Sequence, residues 1–352
     1  MELRSGYTTG ACAAAACKGA VLMLTTQAIA FEVSIDLPTG ASAQFQLHGQ
    51  SFSEGTATCF VVKDAGDDPD ITNGAEVHAL VSVLQGATGK NVDISGGRGI
   101  GIVTKPGLAI PPGEWAINPI PRKMIEQSVH SVQLEFNTHH AFHIEVSIPD
   151  GEERAKKTLN ARLGIMGGLS ILGTTGIVRP ISAKAWTDTI DASIDVAKAC
   201  NCPTVVLSTG RSSEMAAQQH LPHLPEEAFI MMGDHVAYAL QACSKRGFNQ
   251  PIIACQFAKL LKIACGYKNT HAAASELDLA VLHDWAHAGR ISQEYLSIIS
   301  KANTAREIAI ATGFDKTLME IVANRARHAA TVHALGIQLH TLLCGYDGTV
   351  YA

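Results

Sequence analysis

The chain has 352 residues, of which 47% are hydrophobic, 17% charged and 5% aromatic, and its formal net charge is −5. This length predicts two domains, and the composition is that of a globular protein and excludes a disordered one. The small number of aromatic residues and the acidic net charge argue against nucleic-acid or membrane partners. Nine cysteines without a repeated spacing fit a reducing cytoplasm. We find no apolar run of about 18 residues, so we expect neither export nor a membrane span.

The chain opens with LRSGYTTGACAAAACKGAVLML. Thr8 or Thr9 can cap a helix whose interior, from Ala11 to Leu24, is mostly alanine, the best helix former. Amide groups and the dipole at such an N-terminus attract an anion. The alternative is a core helix with an ordinary cap, packed closely through its small side chains.

Alternating runs then predict strands, and an acidic loop follows them. FEVSIDLP and ASAQFQLHG flank Thr39-Gly40 and predict a β-hairpin, and ATCFVVKD predicts a buried strand. The loop KDAGDDPDITNG holds four aspartates, but it lacks the spacing and distal glutamate of an EF-hand. It is either a solvated turn rich in Asx caps or a site where an acid such as Asp67 orients a ligand or takes a proton.

Basic residues beside Gly or Pro mark the next segment. GGRGIGIVTKPG lacks the third glycine of a dinucleotide fingerprint and the lysine of a P-loop. Arg98, Lys105 and Arg122 each stand next to a Gly or Pro, so we expect them at loops and helix starts. There they can hold several carboxylates or serve as plain surface charge. AFHIEVSIPDG closes this half as an alternating strand.

LNARLGIMGGLSILGTTGIVRP, residues 159–180, is the most constrained stretch of the chain. Five glycines among apolar residues suit backbone that is buried yet turns sharply, or that lies against something with no side chain in the way. Arg162 and Arg179 bracket the run. It is either a tight inter-domain crossover or a wall of a site for a flat anionic ligand, and we place the domain boundary near Lys157, with domains 1–157 and 158–352.

The second half alternates helices with short apolar strands: AKAWTDTIDASIDVAKAC, TVVLSTG, SSEMAAQQHL, AFIMMGD, HVAYALQACSKRG, PIIAC and FAKLLKIACG. This pattern predicts a parallel sheet, then a mainly helical region over 270–335 and one last strand. The fold class is therefore α/β, an N-terminal α+β domain followed by a C-terminal parallel-sheet α/β domain with a helical tail. Ligands bind at the carboxyl ends of such strands, where the candidates are Thr209, Gly210, Ser213, Gly233 and Asp234.

Metal and nucleophile motifs are weak. HDWAH lacks the glutamate of H-E-x-x-H, Cys200 and Cys202 are too close for a zinc ribbon, and no G-x-S-x-G occurs. We therefore expect no protein-held metal.

Several blocks, taken together and in order, resemble the CbiD family of cobalt-precorrin-5B (C1)-methyltransferases: LRSGYTTGACAAAA, VVKDAGDDPDITNGA, GGRGIGIVTKPGLAIPPGEWAINPIPRKMI, LNARLGIMGGLSILGTTGIVRP, TGRSSE, MGDH and KLLKIACGYKNTH. The resemblance implies a two-domain α/β fold and methyl transfer from S-adenosylmethionine to C-1 of a corrin precursor, giving cobalt-precorrin-6A. Cobalt is then part of the substrate. The chain departs from the family pattern at Ala254–Gln256 and at Glu276, which stands at an aspartate position.

A macrocycle rimmed with carboxylates needs local cations, for which Arg98, Lys105, Arg122, Arg162 and Arg179 are the candidates. His271 or Asp67 can take a proton after methylation. A small-molecule kinase and a non-catalytic tetrapyrrole carrier stay open as alternatives, and calorimetry with S-adenosylmethionine and ATP separates them. The sequence leaves the oligomeric state open, a homo-oligomer included.

Overall fold

A computed structural model describes residues 3–84 and 91–351. The chain forms two compact units, one ending at Ser182 and the other beginning at Ala183. The boundary therefore lies after the stretch 159–180 and not near Lys157, because that stretch packs into the first unit.

The first unit contains short and long strands around two long helices. Its elements are β1 (Gly6–Tyr7), α1 (Thr9–Thr26), β2 (Glu32–Asp36), β3 (Ser42–Gln46), β4 (His48–Ser53), β5 (Thr56–Val62), β6 (Glu76–Leu84), β7 (Val92–Gly96), β8 (Ile102–Val103), α2 (Pro119–Glu135), β9 (Ala141–Ser147), α3 (Gly151–Ala155), β10 (Ile165–Met166) and β11 (Ile177–Val178).

The predicted hairpin forms, as β2 and β3 pair antiparallel. The larger sheet has the order β4-β5-β6-β9-β7, antiparallel except that β7 runs parallel to β9. Alternate residues of β5, β6 and β9 are buried, so one face packs on the core with α1 and α2. Strands β4 and β7 were not predicted from the sequence. Strand β4 begins directly after β3, so no turn signal separates the two, and β7 forms by pairing with the distant strand β9.

Helix α1 is the centre of this core. Thr8 is the cap, since its hydroxyl accepts from the Ala11 N–H at 3.2 Å. The Thr8 and Gly10 N–H groups donate to the carbonyls of Gly176 and Leu172, each at 3.0 Å. Carbonyl oxygens of the same chain therefore occupy the place that the sequence suggested for an anion, and the capped core helix is the correct alternative.

The same helix has the length and mean hydropathy, 1.3, of a membrane span, contrary to the expectation that no such run exists. Within the unit, however, 78% of it is buried. Its alanine and cysteine side chains pack against the sheet and α2.

The stretch 159–180 ties four parts of the first unit together. Its strands β10 and β11 pair with β8 and β1, and Leu169 and Ile171 form parallel bridges to Ile100 and Ile117. Gly168 lies so close to Gly99 that any Cβ would collide with the Gly99 carbonyl oxygen. The whole stretch therefore belongs to the first unit, where its backbone lies against other backbone, and it is not itself the crossover between the units. Its role as a wall of a ligand site stays a prediction.

The second unit begins with α4 and alternates as predicted. Its elements are α4 (Ala183–Ala199), β12 (Val206–Ser208), α5 (Arg211–His220), a 3-10 turn (Glu226–Ala228), β13 (Phe229–Met231), α6 (Val236–Arg246), β14 (Ile252–Cys255), α7 (Phe257–Ala264), α8 (Leu279–Ala288), α9 (Gln293–Lys301), α10 (Ala305–Ala311), α11 (Lys316–His333), β15 (His340–Cys344) and β16 (Val350–Tyr351).

Its sheet has the order β13-β12-β14-β15-β16, parallel but for the last strand. All three residues of β12 are buried, so both faces of the sheet are covered, as in other parallel sheets. In this order β13 lies on one side of β12, and β14, the next strand along the chain, lies on the other side of β12. The order thus reverses beside β12, where open α/β sheets place ligands. The predicted α/β class with a helical tail is confirmed.

Candidate functional site

The carboxyl ends of β12, β13 and β14 form one edge of the second unit's sheet. Thr209 and Gly210 follow β12, and the Thr209 N–H donates to the Ala254 carbonyl of β14 at 3.2 Å. Gly233 follows β13, and its N–H donates to the Ser208 carbonyl at 3.3 Å. The structure therefore brings the predicted cofactor residues to one edge, and their cofactor-binding role stays a prediction.

Asp234 is the charged centre of this edge. Its Oδ1 accepts from Lys259 Nζ and, at 2.6 Å, from the Thr270 hydroxyl. Burial opposes ionisation of the carboxyl, but the hydrogen bonds from Lys259 and Thr270 outweigh it and hold its pKa below the usual range. Asp234 is therefore ionised at pH 7, and a carboxylate accepts hydrogen bonds from a ligand N–H or O–H.

Thr270 anchors the loop that follows α7. It is fully buried, and its N–H donates to the Asp234 carbonyl oxygen at 3.0 Å. Its own carbonyl accepts from Lys259 at 3.1 Å and Lys262 at 3.2 Å, and Lys262 also donates to the Ser275 carbonyl at 2.9 Å. Burial and the neighbouring Lys259 lower the pKa of Lys262. Two lysines one helical turn apart in α7 thus hold the loop.

The sequence prediction missed Lys259 and Thr270. A signal was present in KLLK, because lysines at i and i+3 share one face of an otherwise apolar helix. Nothing local, however, connects that face to Asp234.

His271 lies in the same loop with an exposed side chain. Its Nδ1 accepts from the Ala273 N–H at 3.2 Å, and its carbonyl accepts from Ala274 N–H and from Ser275. A neutral ring that accepts at Nδ1 carries its hydrogen on Nε2. A base role at Nδ1 therefore requires the contact with the Ala273 N–H to break. That role stays a prediction.

Ser213 is buried in the first turn of α5, and its hydroxyl donates to the Gly210 carbonyl at 2.9 Å. Its hydroxyl thus serves the helix start. The neighbouring Glu214 is fully buried and accepts from Arg211 at 2.7 Å.

Trp186, on α4, stands beside Gly233. A Cβ built on Gly233 would lie 3.6 Å from the Trp186 ring, and 47% of the Trp186 surface is exposed. The His235 ring centre is 6.4 Å from the Trp186 ring centre. An exposed indole at a sheet's carboxyl edge offers a stacking face for a planar ligand.

The aspartate loop of the first unit consists of Asx turns and ion pairs. Asp64 pairs with Arg4 and accepts from the Gly66 N–H, and Asp70 accepts from Thr72 and from the buried Lys63. Asp67 is exposed and accepts from the Arg4 N–H at 2.6 Å. This geometry is that of the solvated turn, and a proton-accepting role of Asp67 stays a prediction.

The predicted substrate cations all lie in the first unit but differ in their surroundings. The Arg98 and Arg179 side chains are exposed, and neither has a partner within residues 3–84 and 91–351. Arg122 is half-buried and donates to the Ile94 carbonyl at 3.3 Å. Lys105 Nζ lies 3.5 Å from the Arg162 carbonyl oxygen, which places these two residues together.

For metals, the described ranges contain no group of three or more His, Cys, Asp or Glu placed to share an ion. The expectation of no protein-held metal stays a prediction.

Comparisons with known proteins identify the family. The family model CbiD matches residues 1–180, and the model of the CbiD C-terminal domain matches residues 269–352. A protein of Pelobacter propionicus named cobalt-precorrin-5B C(1)-methyltransferase is 56% identical, with 99% of this chain and 95% of that protein covered. One of Geobacter sulfurreducens with the same name is 57% identical, with 99% and 98% covered.

Among solved structures, the cobalamin biosynthesis protein CbiD from Archaeoglobus fulgidus is 30% identical. The match covers 73% of this chain and 78% of that one, with a TM-score of 0.42. On the full-length identity to the curated relatives and the two family models, the chain belongs to the CbiD family.

Proposed function

We propose that this chain methylates C-1 of cobalt-precorrin-5B, with S-adenosylmethionine as the methyl donor. The observation that carries the proposal is identity above 50% over 99% of the chain to relatives named for this reaction. That name favours a methyltransferase over the kinase and the non-catalytic carrier.

In this reaction the enzyme mainly has to position the two reactants. An electron-rich ring carbon attacks the methyl group in line with the departing sulfur, which takes the bonding electron pair, so the products are the C-methylated macrocycle and S-adenosylhomocysteine. Orientation of two reactants alone supplies effective molarities of roughly 10⁵ M or more. No protein nucleophile is required for such a displacement. Cobalt belongs to the substrate.

We assign the methyl donor to the carboxyl edge of the second unit's sheet, at Thr209, Gly210, Ser213, Gly233 and Asp234. Support comes from the parallel register, the reversal of strand order beside β12 and the ionised Asp234. Trp186 adds a flat apolar face.

We assign the macrocycle's carboxylates to Arg98, Lys105, Arg122, Arg162 and Arg179. Exposed guanidinium groups such as those of Arg98 and Arg179 can bind a carboxylate in a bidentate manner. His271 and Asp67 are the candidates for the proton that leaves the ring. A cytoplasmic location and a possible homo-oligomer complete the proposal.

The test is methyl transfer by the purified chain. Cobalt-precorrin-5B and S-adenosylmethionine carrying a ¹³C-methyl group should give a labelled product whose carbon spectrum shows the new methyl at C-1. Boiled protein is the control. Absence of transfer from a folded protein supplied with both reactants contradicts the proposal, and labelling at another ring carbon contradicts the assigned position.

The proton-transfer role of His271 is tested by single turnover. If His271 is the base, His271→Ala should slow methylation roughly 10²–10⁴-fold. If the ring only holds the turn, the variant should lose about 1 kcal/mol of stability and keep a near-normal rate. Asp67→Asn, measured in the same way, distinguishes the second candidate.

A further inference from the structure

Asp234 presents one unused oxygen at the carboxyl edge. Its Oδ1 accepts from both Lys259 and Thr270, whereas Oδ2 accepts from no group in the described part of the chain. The Asp234 side chain is 24% exposed, and its carboxylate is ionised and held in place through Oδ1.

Lys259 presents the opposite charge next to it. The ammonium group has three N–H donors. One donates to Asp234 Oδ1 and one to the Thr270 carbonyl at 3.1 Å, so one donor is left. The side chain is 31% exposed. A donor of fixed positive charge and an acceptor of fixed negative charge thus stand side by side.

The loop after α7 keeps this pair in place. Thr270, fully buried, binds both members of the pair, and Lys262 also donates to the Thr270 carbonyl at 3.2 Å. Neither charged group has to reorganise when a ligand arrives, which lowers the cost of binding.

A pair of this kind complements a ligand that carries an ammonium and a carboxylate on neighbouring atoms. The two charges of such a zwitterion match those of the pair, so the complex stays neutral and buries no uncompensated charge. Ribose hydroxyls would use the Asp234 oxygen but would leave the Lys259 donor without a counterpart.

We propose that Lys259 and Asp234 bind the α-amino acid end of the methyl donor, with its carboxylate at Lys259 Nζ and its ammonium at Asp234 Oδ2. The inference rests on the proposed function, since it assumes that S-adenosylmethionine is the ligand of this edge. It adds Lys259 as a specificity-determining residue and assigns Asp234 to the amino group.

The experiment is calorimetric titration of the full chain with three ligands. S-adenosylhomocysteine carries both charged groups, decarboxylated S-adenosylmethionine lacks the carboxylate, and 5′-methylthioadenosine lacks the whole amino acid. Lys259→Met should weaken S-adenosylhomocysteine about tenfold or more. It should leave 5′-methylthioadenosine unchanged, and decarboxylated S-adenosylmethionine within about twofold, because neither has the carboxylate.

Asp234→Asn should weaken both ligands that carry the ammonium and spare 5′-methylthioadenosine. Lys245→Met, which removes an exposed lysine of the same unit, is the matched charge control and should change nothing. Circular dichroism and thermal melting confirm that each variant is folded. Lys259→Arg, which keeps the charge, should retain most of the affinity for S-adenosylhomocysteine.

Two results would overturn the inference, and they are distinguishable. If Lys259→Met weakens S-adenosylhomocysteine and 5′-methylthioadenosine equally, or weakens neither, Lys259 does not bind the amino acid end and the inference fails, while binding of S-adenosylhomocysteine by the wild-type chain still supports the proposed function. If the wild-type chain binds none of the three ligands, the proposed function fails and this inference fails with it.

Discussion

Two regions are each stabilised by a different kind of contact: the stretch 159–180 within the first unit, and the carboxyl edge of the sheet within the second unit. In the stretch, backbone meets backbone: Leu169 and Ile171 bridge to Ile100 and Ile117, and Gly168 touches Gly99. At the edge, side chains meet instead: the charged Asp234 and Lys259 share the buried Thr270 as a partner.

The difference predicts opposite sensitivities. A region built from backbone contacts excludes added atoms but contains few groups that respond to pH or salt. A region built from charged side chains leaves room for added atoms and depends on the charge of each member.

Gly168→Ala should cost about 3 kcal/mol of stability. The new methyl group would collide with the Gly99 carbonyl oxygen, so the backbone would have to move. Gly210→Ala is the matched control at the other region. Gly210 has extended backbone, with φ −175°, and nothing lies within 4 Å of a Cβ built on it, so the cost should stay within about 1 kcal/mol. Chemical denaturation measures both, and equal costs contradict the contrast.

Arg98→Ala and Arg179→Ala should each weaken macrocycle binding by about 1.5–3 kcal/mol and leave S-adenosylhomocysteine affinity unchanged. Arg122→Ala should have a smaller effect, because its guanidinium already donates to the Ile94 carbonyl. Lys198→Ala, at an exposed position of the second unit, controls for net charge. Wild-type affinity in all three arginine variants would remove the basic loops from the substrate site.

Thr270→Val should cost about 1.5 kcal/mol, since it removes a hydroxyl that donates to an ionised carboxylate at a fully buried position and keeps the side-chain volume. Thr331→Val is the control, because the exposed Thr331 hydroxyl donates only to a carbonyl within its own helix. The difference between the two costs measures how much the buried network contributes. Identical costs would mean that the network adds no stability.

Acidification should weaken the second unit through Asp234. Its folded pKa lies below the unfolded one, near 3.9, so the unfolded chain binds the proton first. The stabilisation is therefore complete above the unfolded pKa and is lost as the pH falls through the folded pKa. The free energy difference between wild type and Asp234→Asn should be constant from about pH 7 to 5 and shrink below pH 4. A pH-independent difference contradicts the assigned ionisation.

Some residues of the candidate site could be predicted from local sequence, whereas others are brought there only by contacts between distant segments. Asp234 could be found from MGDH at the end of an apolar strand, because ligands collect at such ends. Its partners could not, since Lys259 lies 25 residues away and Thr270 lies 36 residues away. His271 was a candidate as a histidine in a loop, and only the structure shows that its Nδ1 accepts from the Ala273 N–H.

Sequence alone determined the local elements: the alanine-rich helix with a cap at Thr8 or Thr9, the hairpin at Thr39-Gly40, and the alternation of the second half. Periodicity and capping act over a few residues, so these elements can be predicted locally. The sequence also indicated that residues 159–180 form buried backbone that turns sharply or lies against something with no side chain between, because five glycines stand among apolar residues. Tertiary structure decided which backbone they meet, the parallel placement of β7, and the pairing of Asp234 with Lys259. These contacts join distant segments whose meeting depends on the packing of the whole unit, and no local pattern encodes them.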